Sequence, residues 1–202
     1  MDEQVLRGLA RWPNVPAVYG WLGLDRRGTW LLRGEPLANP IITAYIARNY
    51  EHDAEGRWFF QNGPQRVYVE LGYTPFIYRA LNASDAPLVL ETHTGSRATA
   101  LRGAWIDEDG VLLVETEHGI GVIHDRDLDG VLPSMVDGAR NTLDGDALED
   151  AMSRVQQGST APLRLKLDAS DVQVEPLRAS DVPARFAFVA RPTEPAAIAA
   201  AR

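Results

Sequence analysis

The chain has 202 residues, 45% of them hydrophobic, which suffices for one large core or two subdomains of about 100 residues each. It contains no cysteine, so disulfides, thiolate metal sites and a cysteine nucleophile are all excluded. A net charge of −8 sets the chain against a phosphate backbone, so nucleic acid is not an expected partner.

In chain order, residues 2–11 predict a short helix, because Val5, Leu6, Leu9 and Trp12 recur at helical spacing behind two acids. Residues 17–24 and 29–33 predict strands around the turn DRRG. The stretch NPIITAYIARNY predicts a second helix, with Asn39 as N-cap, Pro40 at the first helical position and an apolar face of Ile42, Tyr45, Ile46 and Tyr50. The segment GRWFFQNGPQRVYVEL at 56–71 then reads as a hairpin turned by Asn62-Gly63. Its alternation sets Val67, Val69 and Leu71 on one face and Arg66, Tyr68 and Glu70 on the other, and Trp58 and Phe60 opposite Phe59.

The stretches PLVLET, ATALRGAWI, VLLVETE and GIGVIH predict four short strands. An acidic segment follows, then a helix over 145–158 with Leu148, Met152 and Val155 on one face, started by Asp144 or Asp146 and stopped by Gly158. LRLKLDA, VQVEPL and ARFAFVA predict further strands, and TEPAAIAAAR a frayed tail. ASD at 83, 169 and 179 reads as a strand-ending side-chain turn. One pattern recurs at 25–34, 53–63 and 107–119: Asp, two polar positions, Gly, one position, then apolar residues. The Asp bonds its own backbone and the Gly supplies positive φ, so these are three hairpins of one design, a hint of duplication.

Strands outnumber helices and are mostly joined by tight turns. The fold class is therefore α+β, mostly antiparallel β with a few helices, in two subdomains. Residues 1–80 carry 9 basic and 8 acidic groups and 13 of the 16 aromatics, whereas residues 81–202 carry 11 basic and 20 acidic groups. This shift divides an aromatic-rich hairpin and helix subdomain at 1–82 from an acidic β-rich subdomain at 83–192, with the tail at 193–202. The first residues are acidic, not an apolar leader, and no apolar run reaches the roughly 18 residues of a membrane span, so a cytoplasmic protein without a membrane partner is expected.

Nineteen of the 20 basic residues are Arg, the exception being Lys166, which fits a GC-rich genome and also offers planar forks to anions. The candidate ligand-binding set is Trp30, Arg33, Arg57, Trp58, Gln61 and Arg66, aromatic platforms beside donors for an anion. Asp125, Asp127 and Asp129 with Gly130 reproduce the opening of a calcium loop, but Val136 stands at the twelfth position where a bidentate Glu belongs and Pro133 at the ninth. His118 and His124, six residues apart beside these acids, outline a two-His and carboxylate alternative. No nucleophile elbow, phosphate loop, dinucleotide fingerprint or HExxH is present, so the balance tilts away from an enzyme and no other cofactor is implied.

DRRGTWLLRGEPL, the following helix and GRWFFQNGPQRVYVELGYTPFIYRA resemble an uncharacterised proteobacterial family of unknown function through Asp25, Gly28, Trp30, Gly34, Pro36, Ile42, Ile46, Trp58, Pro64, Val67, Val69, Pro75 and Phe76. The chain is more distantly similar to a second such family, with a duplicated β-rich core and a pleckstrin-homology-like C-terminal part. That resemblance implies a ligand pocket at the subdomain interface and a signalling role. The second family has Thr-Pro where this chain has Gly63-Pro64, and an Asp before its Pro-Phe pair where this chain has GYTPF, so its ligand need not carry over.

Three functions follow in order of expectation. The first is a small-ligand-binding or regulatory protein for an anionic, nucleotide-like ligand. The second is a protein-interaction module or homo-oligomer using exposed aromatics of residues 58–78. The third is an unrecognised hydrolase or metal enzyme.

Overall fold

The computed structural model describes residues 1–12, 15–81, 87–168 and 170–195. It is an α+β protein of two compact units, Met1–Pro75 with Ala187–Arg202, and Phe76–Phe186. The sequence reading divides the chain at 82/83, within residues that lie partly outside the described ones. The units instead part at Pro75/Phe76, and the chain re-enters the first unit at Ala187.

The first unit contains α1 (Glu3–Arg11), β1 (Val18–Leu24), β2 (Trp30–Leu32), β3 (Glu35–Pro36), α2 (Pro40–Arg48), β4 (Tyr50–His52), β5 (Trp58–Asn62) and β6 (Gln65–Leu71). Asn39 caps α2 as expected, its side-chain oxygen accepting from the N–H groups of Ile41 and Ile42. The strands form one sheet in the order β3-β2-β1-β6-β5-β4, antiparallel except where β1 and β6 run parallel. Register sorts the side chains. Leu24 pairs with Trp30 on one side and Leu71 on the other, and Leu22 with Leu32 and Val69. Leu22, Leu24, Trp30, Val69 and Leu71 are buried, with Ile46 of α2 and Tyr50 completing this core. The second face carries Gly23, Leu31, Tyr68, Glu70 and Phe59.

The second unit holds β7 (Phe76–Ala80), β8 (Leu90–Thr92), β9 (Leu101–Ile106), β10 (Leu112–Thr116), β11 (Gly119–Ile123), α3 (Leu128–Val131), β12 (Met135–Asp137), α4 (Gly145–Gln156), β13 (Leu163–Leu167), β14 (Ser170–Pro176) and α5 (Val182–Arg185). Its sheet runs β12-β13-β14-β9-β10-β11-β7-β8, with parallel pairs β11·β7 and β14·β9. Asp144 caps α4 through the Ala147 N–H, and Gly158 just beyond it has φ 85°.

The three expected hairpins share one hydrogen-bond pattern. At Asp25, Asp53 and Asp107 the carboxylate oxygen accepts from the backbone N–H two and four residues on, at 2.7–3.1 Å. The N–H three residues on donates to the Asp carbonyl, from Gly28, Gly56 and Gly110 at φ 74–81°. Two further turns use the same pattern and escape the sequence motif. Asp137 repeats it with Arg140 at φ 67° in the glycine position, and Thr92 keeps most of it: its hydroxyl accepts from the Ser96 N–H and its carbonyl from Gly95 at φ 89°, while the residue two on meets it through the Thr94 hydroxyl.

Several local expectations fail. ARFAFVA is not a strand: Pro183 favours a helical first turn, giving α5, and only Val189 then bridges to Arg57. The ASD at 179 opens that turn as a 3-10 helix instead of ending a strand, whereas Ser170 does close β13 onto β14 by donating to the Leu167 carbonyl. Ala83–Asp85, Ala169 and residues 196–202 of the tail lie outside the described residues.

Candidate functional site

The second face of the first unit's sheet bears a groove of about 760 Å³, within the range of small-molecule sites. Gly23 makes its floor. Flanked in register by Leu31 of β2 and Glu70 of β6, it leaves a bare strip of backbone between two side chains. Upstream, Gly20 at φ 71° lies where β1 slips register against β6, so β1 kinks there and Trp21 stands at the groove's end, half-exposed.

Four arginines line the groove: Arg26, Arg27, Arg33 and Arg191. Arg33 lies over the Trp21 ring, 3.8 Å from its centroid, and Arg26 over Tyr73 at 4.6 Å. Among the described residues, neither these two nor Arg191 forms an ion pair. Arg33 and Gly34 both have positive φ, 52° and 86°, as a two-residue hairpin between β2 and β3 requires. Asn or Gly would adopt that conformation at less strain than Arg. Of the two acids, Asp25 is engaged in its turn, and Glu70 is exposed with its carboxylate beside Gly20. Arg191 arrives on the returning C-terminal segment, pinned where the Leu71 N–H donates to the Ala190 carbonyl at 2.8 Å.

Of the expected ligand residues, Arg33 alone lines this groove. Trp30 is 3% exposed and packs edge-on against Tyr50, because its place opposite Leu24 turns it into the core. Trp58 lies on that same face, against Tyr50 and His52. Gln61 is wholly buried, donating to the Gly63 carbonyl while its Oε1 has no hydrogen-bond partner. Arg57 is held by Asp53 at 2.7 Å and sits over Tyr68. Hydrogen bonds from Arg57 and Tyr68 keep the Asp53 carboxyl below its usual range against the opposing effect of burial. Burial, with the bond to Asp53, pushes the Tyr68 hydroxyl up to about 12. Arg66 lies over Phe59 at 4.5 Å.

Asp125, Asp127 and Asp129 are not brought together as a calcium loop. Asp125–Asp127 is a 3-10 turn capped by the His124 ring, and α3 follows directly. Asp127 is taken by Arg79 and the Ala80 N–H. His118 meets the Arg97 carbonyl instead of His124. Among the described residues, no three His, Asp or Glu side chains are gathered to hold a metal ion. The aromatics expected as an exposed patch at 58–78 are mostly core: Phe59, Phe60, Tyr68, Tyr73, Phe76 and Tyr78 are all buried.

Sequence reasoning misses Trp21, Gly23, Arg26, Glu70 and Arg191. A glycine inside the alternating strand AVYGWLGL is the signal that a backbone strip is left open there. Arg191 has no local signal, because a distant segment delivers it.

Residues 1–193 match the model of the DUF2944 family, described as "Protein of unknown function (DUF2946)". The chain belongs to this family. Among solved structures it is similar to a DUF1285 family protein from Silicibacter pomeroyi DSS-3, at 17% identity and a TM-score of 0.52 over 83% of this chain and 86% of that one. A DUF1285 family protein from Shewanella baltica OS155 matches at 17% identity and a TM-score of 0.35, over 53% of this chain and 86% of that one. No curated protein matches the chain. The first likeness shows a shared fold with that DUF1285 family protein, in line with the distant resemblance to a second family of unknown function.

Proposed function

We propose that this is a cytoplasmic protein that binds a small anionic ligand in the arginine groove of its first unit, and that this binding serves a regulatory role. One observation carries the reading: Arg26 and Arg33 rest on aromatic rings, and neither forms an ion pair among the described residues. A guanidinium that packs its face on a ring keeps its N–H edges for a ligand, and those edges match carboxylate and phosphate oxygens. Bare backbone at Gly23 gives such a ligand room to lie down. Calorimetric titration with inorganic pyrophosphate tests the reading. Saturable binding that falls at least tenfold in the Arg26→Ala/Arg191→Ala double variant is expected, and wild-type protein that takes up no anion would overturn it.

An interaction module is favoured by a different observation: Ile41 and Ile42 stand side by side on α2, 79% and 44% exposed. Sedimentation of wild type and Ile41→Ser/Ile42→Ser would show self-association lost in the variant if that surface is used.

A further inference from the structure

Resting on the anion-groove reading, we infer that the ligand is a guanine nucleotide, with its base held between Arg33 and Glu70 and its phosphates at Arg26 and Arg191. The groove is not uniformly basic. Glu70 sits at the Trp21 end, next to Gly20, and has no ion-pair partner among the described residues. Its charge repels an anion there, so a ligand negative along its whole length fits poorly. A ligand anionic at one end and rich in N–H donors at the other fits both ends.

The spacing agrees. From Trp21 to Asp25, four residue steps along β1 cover about 13 Å, and Arg26 stands just beyond. Across the sheet, Leu31 and Glu70 flank Gly23 in register, two strand spacings or about 10 Å apart. A purine lying over β1 between Gly20 and Gly23 has the Glu70 carboxylate, beside Gly20, on one wall and Arg33, whose guanidinium lies over Trp21, on the other. Guanine presents two adjacent donors, N1–H and the 2-amino group, to a carboxylate. On its next edge it offers O6 and N7, the acceptors that an arginine fork takes in pairs. Adenine carries an amino donor in place of O6 and has no N1–H, so it satisfies neither wall fully. The half-exposed indole of Trp21 adds an aromatic surface at this end.

The test is calorimetric titration of the full chain with GDP, ADP and pyrophosphate, in wild type and Glu70→Gln, after confirming that the exposed substitution leaves the thermal midpoint unchanged. GDP is expected to bind about tenfold or more tighter than ADP, the discrimination given by one bidentate base contact. Glu70→Gln should bring GDP close to ADP while pyrophosphate affinity holds steady or rises. Equal affinity for all three probes, or a preference for ADP, overturns the guanine assignment and leaves the anion groove standing. Failure of all three to bind overturns both.

Discussion

Gly23 of β1 stands directly opposite Glu70 of β6, and a Cβ built on it would come no closer than 3.5 Å to the Glu70 carbonyl oxygen and 3.6 Å to the Leu31 Cβ. Both are ordinary van der Waals distances, and the backbone there lies outside the left-handed region. A methyl group therefore fits without strain, yet it rises from the groove floor. Gly23→Ala is expected to keep or raise the unfolding free energy, by up to about 1 kcal/mol, since glycine in a strand interior costs about that much relative to alanine. GDP binding should fall at least tenfold. Thermal unfolding and titration of the same sample separate the two effects, and unchanged affinity would mean that no ligand lies over β1.

The recurring turn gives a prediction on stability. Arg140 occupies a left-handed position, φ 67°, that Gly28, Gly56 and Gly110 fill in the sister turns. Its side chain forks onto Asp171 at 2.9 and 3.2 Å but is 73% exposed, and Arg164 also holds Asp171, so losing this pair leaves the carboxylate partnered. Arg140→Gly is expected to stabilise the protein by about 0.5–1 kcal/mol through release of backbone strain. Denaturant unfolding checks this, and a loss of stability would show that the Asp171 pair outweighs the strain.

These turns also show how far the sequence could be read. Asp25, Asp53 and Asp107 were visible because Asp and Gly both sat at their diagnostic places. Asp137 and Thr92 were hidden because one of the two was replaced by a residue that meets the same geometry at greater strain or through a hydroxyl. Alternation along 65–71 correctly separated the faces of β6, but it could not tell which face held the groove. Trp30 and Trp58 read as aromatic platforms in the sequence, but the register of β2 and β5 sets them on the core face of the sheet. What made the groove was an absence, the missing side chain of Gly23, together with Arg191, about 120 residues from the nearest groove residue on β6. Composition and periodicity report what is present locally, so neither could signal that combination.

Gly56 and Gly34 make a controlled pair. Both have positive φ, 74° and 86°. A Cβ on Gly34 meets nothing within 4 Å, whereas one on Gly56 runs into the carbonyl oxygen of Ala187, where the Val189 N–H donates to the Gly56 carbonyl. Gly34→Ala should lose only the backbone strain, about 1 kcal/mol. Gly56→Ala should lose more and release the segment that carries Arg191. Limited proteolysis should then cut near residues 187–191 in Gly56→Ala and not in Gly34→Ala, with weakened pyrophosphate binding in the first alone. Equal protease resistance would mean that the C-terminal segment docks independently of this turn.

The burial of His93 predicts acid sensitivity in the second unit. Its Nδ1 accepts from the Ile77 N–H at 3.4 Å and its Nε2 is sealed from solvent, so burial holds the ring neutral and lowers its proton affinity to about 3. The unfolded chain takes up this proton near the ordinary 6.5. Above that pH both states carry the neutral ring and His93 has no effect. Below it the unfolded state binds more protons, so stability falls by at most about 1.4 kcal/mol per pH unit, down to about pH 3. Carboxylates act in a lower window. Burial opposes the charge of Glu117, but hydrogen bonds from the Thr99 hydroxyl and N–H and from the Ala100 N–H bring it down to about 2 from 4.5, so its contribution is complete above 4.5 and lost as pH falls through that range. Between pH 6.5 and 5 the decline therefore belongs to His93. His93→Asn, whose side-chain oxygen can still accept from Ile77, is expected to lose packing at pH 7.5 but to show a flatter stability profile down to pH 5. Denaturant midpoints at the two pH values decide it, and parallel profiles for variant and wild type would remove His93 as the titrating group.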